Sequence, residues 1–152
     1  MAVTFSPRTA TNVNQLQAEV DAVLDAAHAA YLRGDLEAVS KTIDFPVLMV
    51  TDNSKADGMA TTWDREQFLH HHAAVAREFS PDAMEGIKSA KRSRNYTFIS
   101  DTIVAVNQED EASLEGKAVK WKSFALLAKS NGTWRVKAQA EGGWGDTIMA
   151  RG

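Results

Sequence analysis

The sequence predicts an α+β fold in which three N-terminal helices pack on a strongly curved antiparallel, mixed-edge sheet of five to six strands. Two observations support this prediction: helical periodicity dominates the first half of the chain, and β-rich runs separated by turn residues fill the second half. A chain of 152 residues, 44% of them hydrophobic, fits one domain, which at this size buries roughly 70% of its unfolded surface. We assign residues 1–12 to an N-terminal extension and residues 13–152 to a single domain.

The first two helices are predicted to meet at a Gly-Asp turn. Apolar residues recur with a period of 3.6 from Val13 to Tyr31, which indicates a helix of about five turns. Gly34 ends this helix, because glycine accepts the left-handed conformation that a helix C-terminus favours. Asp35 then offers a carboxylate that caps a second, shorter helix.

The third helix begins with a capping-box pattern. Asp64 and Gln67 have the spacing at which each side chain can satisfy the backbone N–H of the other residue. We expect this helix to continue to about Phe79 and to be closed by Ser80-Pro81-Asp82.

Six β-rich runs predict the strands of the sheet. Asn131-Gly132 separates the last two runs and is a strong tight-turn signal, because both residues tolerate the positive φ angles that short hairpins need. Glu109-Asp110-Glu111 is interpreted as a solvated hairpin tip. The predicted strands lie near residues 45–51, 59–63, 87–98, 102–106, 118–128 and 133–140.

One strand is apolar on both faces. Phe124 to Ala128 has five consecutive apolar residues, whereas a strand with one wet face normally alternates. Either a second copy of the sheet covers the outer face, which makes a homodimer, or the chain's own tail from Gly143 to Gly152 covers it. The homodimer is the preferred prediction.

Composition excludes several classes of protein and site. The chain has no cysteine, so disulfides, thiolate ligands and cysteine nucleophiles are excluded. Met1 to Asn14 lacks the pattern of a signal peptide, and no run approaches the ~20 apolar residues of a membrane span, so a cytoplasmic location is predicted. The net charge of -3 argues against nucleic-acid binding, and the basic stretch Lys88–Arg94 is interpreted as a solvated strand face.

Three motifs in this order resemble the NTF2-like (SnoaL-like) superfamily over the range from Val13 to Trp144. They are Gly34-Asp-Leu-Glu-Ala38, Asp64-Arg-Glu-Gln67 and Leu126-Leu-Ala-Lys-Ser-Asn-Gly-Thr-Trp-Arg-Val136. The resemblance implies a cone with a pocket between the concave face of the sheet and the helices. In this superfamily, such pockets serve ketosteroid isomerases, scytalone dehydratase, limonene epoxide hydrolase and polyketide cyclases, whereas other members bind partners or assemble complexes.

Two functions are therefore expected as alternatives. In the first, the pocket binds a small apolar molecule and carries isomerase-, dehydratase- or hydrolase-type acid–base chemistry without a cofactor. In the second, the chain is a non-enzymatic ligand-binding or assembly module. Because fold does not specify reaction, the choice depends on the residues of the pocket.

The candidate catalytic residues are His72, Asp52 and His28. The resemblance places a catalytic aspartate at Thr51, next to Asp52, and an oxyanion-binding tyrosine at Ala27, next to His28. His72 lies in the middle of the apolar stripe of the third helix, and its imidazole titrates near the pH of general acid–base catalysis. The alternative roles are a core histidine for His72 and a turn-forming carboxylate for Asp52.

The histidine run His70–His72 does not predict a metal site. Consecutive helical residues point about 100° apart, so the three side chains cannot converge on one ion. On the helical wheel His70 points away from the buried stripe and His71 lies on its flank.

An apolar ligand would need aromatic and sulfur-containing side chains around it. Core packing is the alternative role for each of the candidates, and strand parity leaves Trp121 on either face of the sheet. The predicted ligand-binding residues are Trp63, Tyr96, Trp121, Trp144 and Met49.

Overall fold

The computed structural model describes residues 5–150, with side chains for residues 5–147. Within this range, every helix is too short or too polar to span a lipid bilayer. The elements follow the predicted order, with two additional short helices, α4 and α5. Their bounds are α1 (Val13–Leu32), α2 (Leu36–Ser40), β1 (Ile43–Asp52), β2 (Gly58–Trp63), α3 (Arg65–Ala76), α4 (Pro81–Lys88), β3 (Lys91–Ser100), β4 (Ile103–Leu114), β5 (Lys117–Ser130), β6 (Thr133–Glu141) and α5 (Gly145–Ala150).

Local capping residues set the ends of the first helices, as predicted. Gly34 follows α1 with φ of 77°, a left-handed conformation that costs glycine little. The side chain of Asp35 accepts a hydrogen bond from the backbone N–H of Ala38 at 3.1 Å and caps α2. The capping box of α3 also forms, because Asp64 and Gln67 each accept a hydrogen bond from the backbone N–H of the other.

The segment after α3 differs from the prediction. The third helix ends at Ala76 rather than Phe79, and Ser80 begins another helix instead of only closing the previous one. Its hydroxyl accepts from the backbone N–H of Ala83 at 3.1 Å, and Pro81 occupies the first helical position, where its missing N–H costs nothing. The strand predicted from residue 87 therefore starts only at Lys91.

The six strands form one sheet in the order β2-β1-β6-β5-β4-β3. The β1–β6 pair is parallel and the other neighbours are antiparallel. The register shifts within the β1–β6, β3–β4 and β5–β6 pairs, and such bulges bend the strands that contain them. This architecture confirms the predicted fold class.

One hairpin was predicted correctly and one was not. Asn131 and Gly132 form the β5–β6 turn with φ of 52° and 78°. The β4–β5 turn is at Glu115 and Gly116, which have the same pair of angles, and not at Glu109–Glu111. Those three residues belong to the middle of β4.

The sheet has a helix-facing side and an outer side. In β4, Val104 and Val106 lie on the helix-facing side and are buried, whereas Ile103 lies on the outer side and is exposed. The helices cover the part of the helix-facing side that contains Val104 and Val106, and the apolar core forms there. Its most buried large members are Val20, Val47, Phe68, Val104, Val106, Leu127 and Val136.

Candidate functional site

Beyond the apolar core, the helix-facing side of the sheet becomes polar. Directly paired residues of neighbouring antiparallel strands project to the same side, so the strand register builds two polar rows. One row runs Arg94, Gln108, Ser123 and Glu141 across β3, β4, β5 and β6, and the next runs Arg92, Asp110 and Trp121.

Asp110 anchors this polar end. Its side chain is 1% exposed and lies 2.7 Å from Nε of Arg92. Its second carboxylate oxygen accepts from Nε2 of Gln108 at 2.8 Å. Both oxygens are thus engaged, which makes Asp110 a structural anion rather than a free base.

Helix α1 covers this end through residues spaced along one of its faces. Asp21 and Asp25 lie 3.0 and 2.8 Å from Nη1 of Arg94. One turn further, Nδ1 of His28 lies 3.3 Å from Nη2 of Arg92. Burial lowers the pKa of His28, and the neighbouring Arg92 lowers it further, so the imidazole is held neutral.

His72 sits among aromatic rings. Its ring centroid lies 4.3 Å from that of Phe68, 5.9 Å from Tyr31 and 6.5 Å from Trp63. Nε2 of His72 is buried and has no hydrogen-bond partner among the described residues. Burial, and secondarily His71, lowers the pKa of His72 to about 4, so this imidazole is also neutral near pH 7. An unsatisfied buried polar atom costs about 1–3 kcal/mol.

Glu141 adds a carboxyl group to the same region. It is accessible to solvent at the end of β6, yet protein atoms surround it closely enough that burial raises its pKa, as does Asp110. Burial and the charge of Glu141 raise the pKa of the Tyr31 hydroxyl. A carboxyl group with a raised pKa is the kind of group that acts as a general acid or base near neutral pH.

Solved structures share this architecture. No protein-family model matches the chain, and no curated protein matches it in sequence. An NTF2-like protein of unknown function from Shewanella oneidensis MR-1 is 15% identical with a TM-score of 0.60, over 83% of this chain and 98% of that one. A ketosteroid isomerase-like protein from Erwinia carotovora atroseptica is 16% identical with a TM-score of 0.56, over 82% and 93% of the two chains.

The chain has the NTF2-like fold. A protein from Xanthomonas campestris named for the association domain of calcium/calmodulin-dependent protein kinase II also has this architecture, at 15% identity and a TM-score of 0.56 over 93% of this chain and 96% of that one. These neighbours carry different names while sharing the arrangement of helices and sheet, and a shared fold does not specify a function.

Within the NTF2-like fold, the structure brings two predicted ligand residues to His72. Trp63 contacts His72 directly, and its centroid lies 5.5 Å from that of Trp144. His71 packs between the two indoles, at 4.5 Å from Trp63 and 5.4 Å from Trp144. We call the region around His72, Tyr31, Trp63 and Trp144, together with the neighbouring Glu141, the hollow.

The other predicted ligand residues lie elsewhere on the helix-facing side. Trp121 pairs with Asp110, which resolves its ambiguous parity in favour of that side. Met49 is buried in the apolar core. The hydroxyl of Tyr96 donates to Asp21, so this tyrosine ties β3 to α1.

Asp52 is separated from His72 by the sheet. Along β1 the buried residues Met49 and Thr51 alternate with exposed ones, and Asp52 follows the exposed, outer-side parity. Its carboxylate accepts from the backbone N–H of Gly143 at 2.6 Å. Asp52 thereby holds the chain as it leaves β6.

The histidine run is distributed differently from the helical-wheel prediction. His70 is exposed, as expected, but His71 is buried rather than on a flank, because Trp63 and Trp144 cover it. Among the described residues no three acidic or histidine side chains are arranged to share a metal ion.

The structure contains two cavities away from His72. One of about 410 Å³ lies at the start of α1, next to Asp101 and Lys129. Another of about 630 Å³ lies between α4 and the β4–β5 hairpin, next to Glu85 and Glu111. Neither cavity is lined by His72, whose buried Nε2 has no hydrogen-bond partner among the described residues, or by Glu141, whose pKa is raised. The hollow is the candidate site because it contains both of these residues.

Sequence reasoning missed Asp110, Arg92, Glu141 and the role of Tyr31. Asp110 was interpreted as part of a hairpin tip because it stands between two glutamates. A signal was nonetheless present: Arg92 and Arg94 on one strand have the same two-residue spacing as Gln108 and Asp110 on the next predicted run, which is the period of one strand face.

Proposed function

We propose that the chain binds a small, mostly apolar molecule in the hollow, and that Glu141, Tyr31 and His72 carry cofactor-independent acid–base chemistry on it. The observation that carries this proposal is the buried, unpartnered Nε2 of His72 among aromatic rings. A polar atom of a ligand would supply the missing hydrogen bond, while the rings of Tyr31, Trp63 and Trp144 would contact its apolar body.

The available groups suit proton transfer. The Glu141 carboxylate is the base, because its raised pKa makes it a better proton acceptor than an ordinary surface carboxylate. Tyr31 and neutral His72 are hydrogen-bonding groups that can orient the ligand. Isomerisation, dehydration and hydrolysis all include a proton transfer that such a base can assist, and one structural neighbour is a ketosteroid isomerase-like protein, which supports this class.

Ligand binding can be tested with ring ketones, enones and phenols, using 1-tetralone as the reference probe. Binding is followed by tryptophan fluorescence and by the change in melting temperature. We expect 1-tetralone to quench fluorescence and raise the melting temperature of the wild type, and His72→Ala to abolish both effects. His70→Ala is the matched control, since His70 is exposed on the same helix. Equal responses from both variants would refute the assignment of His72.

Acid–base chemistry needs a separate measurement. Deuterium exchange at the carbon next to the carbonyl of 1-tetralone, followed by NMR, reports proton abstraction without requiring the natural substrate. We expect the wild type to accelerate exchange and Glu141→Gln to lose the acceleration while still binding. Binding without accelerated exchange would support the non-enzymatic alternative.

We also propose that the chain forms a homodimer through the outer side of its sheet. Leu48 and Val50 of β1 are 41% and 36% exposed, and Ile103 of β4 is 38% exposed. The strand register extends this apolar surface across β6 and β5, because Leu48 aligns with Ala138 and Leu126, and Val50 with Ala140 and Phe124. Contiguous apolar patches of this kind are typical of interfaces.

The contacts of the tail support the dimer over coverage by the chain itself. Trp144 donates its backbone N–H to Thr51, and Asp146 accepts from Ser54. These contacts hold the described part of the tail at the end of the β1–β2 hairpin. Residues 148–152 lie outside the described side chains.

The oligomeric state can be measured by sedimentation equilibrium. We expect a dimer for the wild type and a monomer for Leu48→Lys/Val50→Lys. The variant would have to bury the positive charges of these lysines in the interface between the two subunits. Phe79→Lys, an equally exposed apolar residue between α3 and α4, should leave the dimer intact. A monomeric wild type would refute the proposal.

A further inference from the structure

Two side chains at the end of β1 hold the segment that follows β6. The carboxylate of Asp52 accepts a hydrogen bond from the backbone N–H of Gly143 at 2.6 Å, and the hydroxyl of Thr51 accepts one from that of Trp144 at 3.3 Å. Both acceptors belong to a strand of the sheet, whereas both donors lie between β6 and α5. These two hydrogen bonds, which we call the clasp, therefore fix the backbone that carries the Trp144 side chain.

The clasp brings the two segments so close together that the sequence needs glycine there. Gly143 has φ of 95°, a conformation that costs glycine little. A Cβ atom on Gly145 would lie 2.6 Å from the backbone oxygen of Asp52 and 2.8 Å from Sδ of Met59. These separations are too short for a carbon atom, so a larger residue at this position would push the segment away from β1.

The indole of Trp144 is the outermost ring of a stack that leads to His72. Its centroid lies 5.5 Å from that of Trp63 and 5.4 Å from that of His71. The His71 ring in turn lies 5.5 Å from the ring of His72, and Trp63 lies 6.5 Å from it. Rings at such separations are in contact. Trp63 and His71 are only 7% and 9% exposed, and a displacement of Trp144 would uncover both.

Burial keeps the imidazole of His72 neutral. It is the main reason why the pKa of His72 is about 4, and the neighbouring His71 lowers that pKa further. The other titratable group that faces the ring is Tyr31 on α1, whose hydroxyl is next to the charge of Glu141, while β2 contributes the uncharged Trp63. Water that reached the imidazole would therefore raise its pKa, because desolvation is the larger of the two causes.

We propose that Asp52 and Thr51 are positioning residues that hold Trp144 as a wall of the hollow, where its indole keeps water away from His72 and limits the size of the ligand. The part of this inference that concerns the ligand rests on the proposed function, whereas the part that concerns water does not. Asp52 thus acts on the hollow from the outer side of the sheet, through the backbone of the segment that it holds.

The wall can be tested without a ligand, by NMR titration of the histidine ring signals in the free protein. We expect Trp144→Ala to raise the pKa of His72 from about 4 by about one unit or more, because water replaces the indole. Added indole should lower the pKa again by filling the apolar space that the truncation leaves. The signals of the exposed His70 serve as the internal reference. An unchanged pKa, or a rise that indole fails to reverse, would overturn the inference.

The clasp is tested by variants that leave the indole in place. We expect Asp52→Ala and Gly145→Ala to raise the pKa of His72 in the same titration. Asp52→Asn should leave it near its wild-type value, because the amide oxygen can still accept the N–H of Gly143. Asp57→Ala is the matched control, since Asp57 is an exposed aspartate in the turn of the same hairpin. If Asp52→Ala behaves like this control, Asp52 is not a positioning residue and the inference fails.

Phenols of two sizes separate this inference from the proposed function. Calorimetric titration gives the affinities for 1-naphthol, which has two fused rings, and for 9-phenanthrol, which has three. We expect the wild type to prefer the smaller phenol and Trp144→Ala to bind the larger one about tenfold more tightly than the wild type does. If both proteins bind with the same preference, Trp144 does not limit the size of the ligand, and the inference is overturned while the proposed function stands. If neither protein binds either phenol, the proposed function is refuted, and the pKa of His72 still decides whether Trp144 is its wall.

Discussion

The two ends of β4 face the same helices with opposite chemistry. At one end Val104 and Val106 are 0% and 1% exposed and pack into the apolar core. At the other end, on the same side of the same strand, Gln108 and Asp110 join an ion-pair network with Arg92. A strand that simply alternated between core and solvent would not change character in this way.

The apolar end and the polar end of β4 contribute differently to stability and to reactivity. Burying a large aliphatic side chain contributes about 1.5–3 kcal/mol, so the apolar end supplies most of the free energy of folding. A buried ion pair gives little net stability, because desolvation offsets the attraction between its charges. The polar end can therefore hold reactive groups, provided that the apolar end keeps the sheet and helices together.

The largest effect is expected at the apolar end. Leu127→Ala removes a fully buried side chain and should lower the free energy of unfolding by about 2–5 kcal/mol, measured with urea. Leu48→Ala makes the same change at a partly exposed position and should cost at most about 1 kcal/mol. Equal losses would show that the core is not where the structure puts it.

The next largest effect concerns the ion pair. Asp110→Ala leaves Arg92 without its partner and should cost about 3 kcal/mol, again by urea unfolding. The variant Arg92→Met/Asp110→Leu removes both charges and should recover most of that loss. A double variant as unstable as the single one would mean that the pair itself stabilises the polar end.

The free energy of unfolding should depend on pH through His72. The pKa of His72 in the folded state, about 4, lies below the ordinary value of 6.5. Between pH 4 and pH 6.5, His72 therefore binds a proton in the unfolded chain but not in the folded one. This contribution is present above pH 6.5 and is lost as the pH falls toward 4, by about 3 kcal/mol. His72→Gln should flatten this part of the stability curve, whereas His70→Gln should leave it unchanged.

The smallest effect is expected at Glu141. Because the folded-state pKa of this carboxyl group is raised above 4.5, its protonated form is favoured and the stability it confers is lost as the pH rises through that pKa. Glu141→Gln should raise the melting temperature slightly at pH 8 and not at pH 4. Glu109→Gln, on the outer side of the same sheet, is the control. A destabilised Glu141→Gln would indicate an attractive partner for the carboxylate.

Local signals predicted most of the fold. Gly34-Asp35, the capping box of Asp64 and Gln67, and Asn131-Gly132 all formed as expected. Each involves residues at most three positions apart, so the bond that each makes depends little on the rest of the chain. The fourth helix was missed although Ser80 and Pro81 are ordinary helix-starting residues, because the same pair also ends a helix.

The candidate site was predicted only in part. His72 was singled out because helical periodicity shows which face of a helix is buried, and His28 because it stands next to Ala27, where the family resemblance places an oxyanion-binding tyrosine. Glu141 and Asp110 were not singled out, because the residues that interact with them lie far away in the sequence. Asp110 meets Arg92 across 18 positions, and two carboxylates beside it made that segment look solvated.

The amino-acid sequence determines the order of the elements, their capped ends and the apolar stripes that fold them together, because these depend on contacts within one or two turns. Strand register and the packing of α1 decide the rest. They turn Asp110 inward and Asp52 outward, and they set Arg92 against His28 Nδ1. Each outcome depends on the parity of a paired strand, which a single shifted residue would reverse.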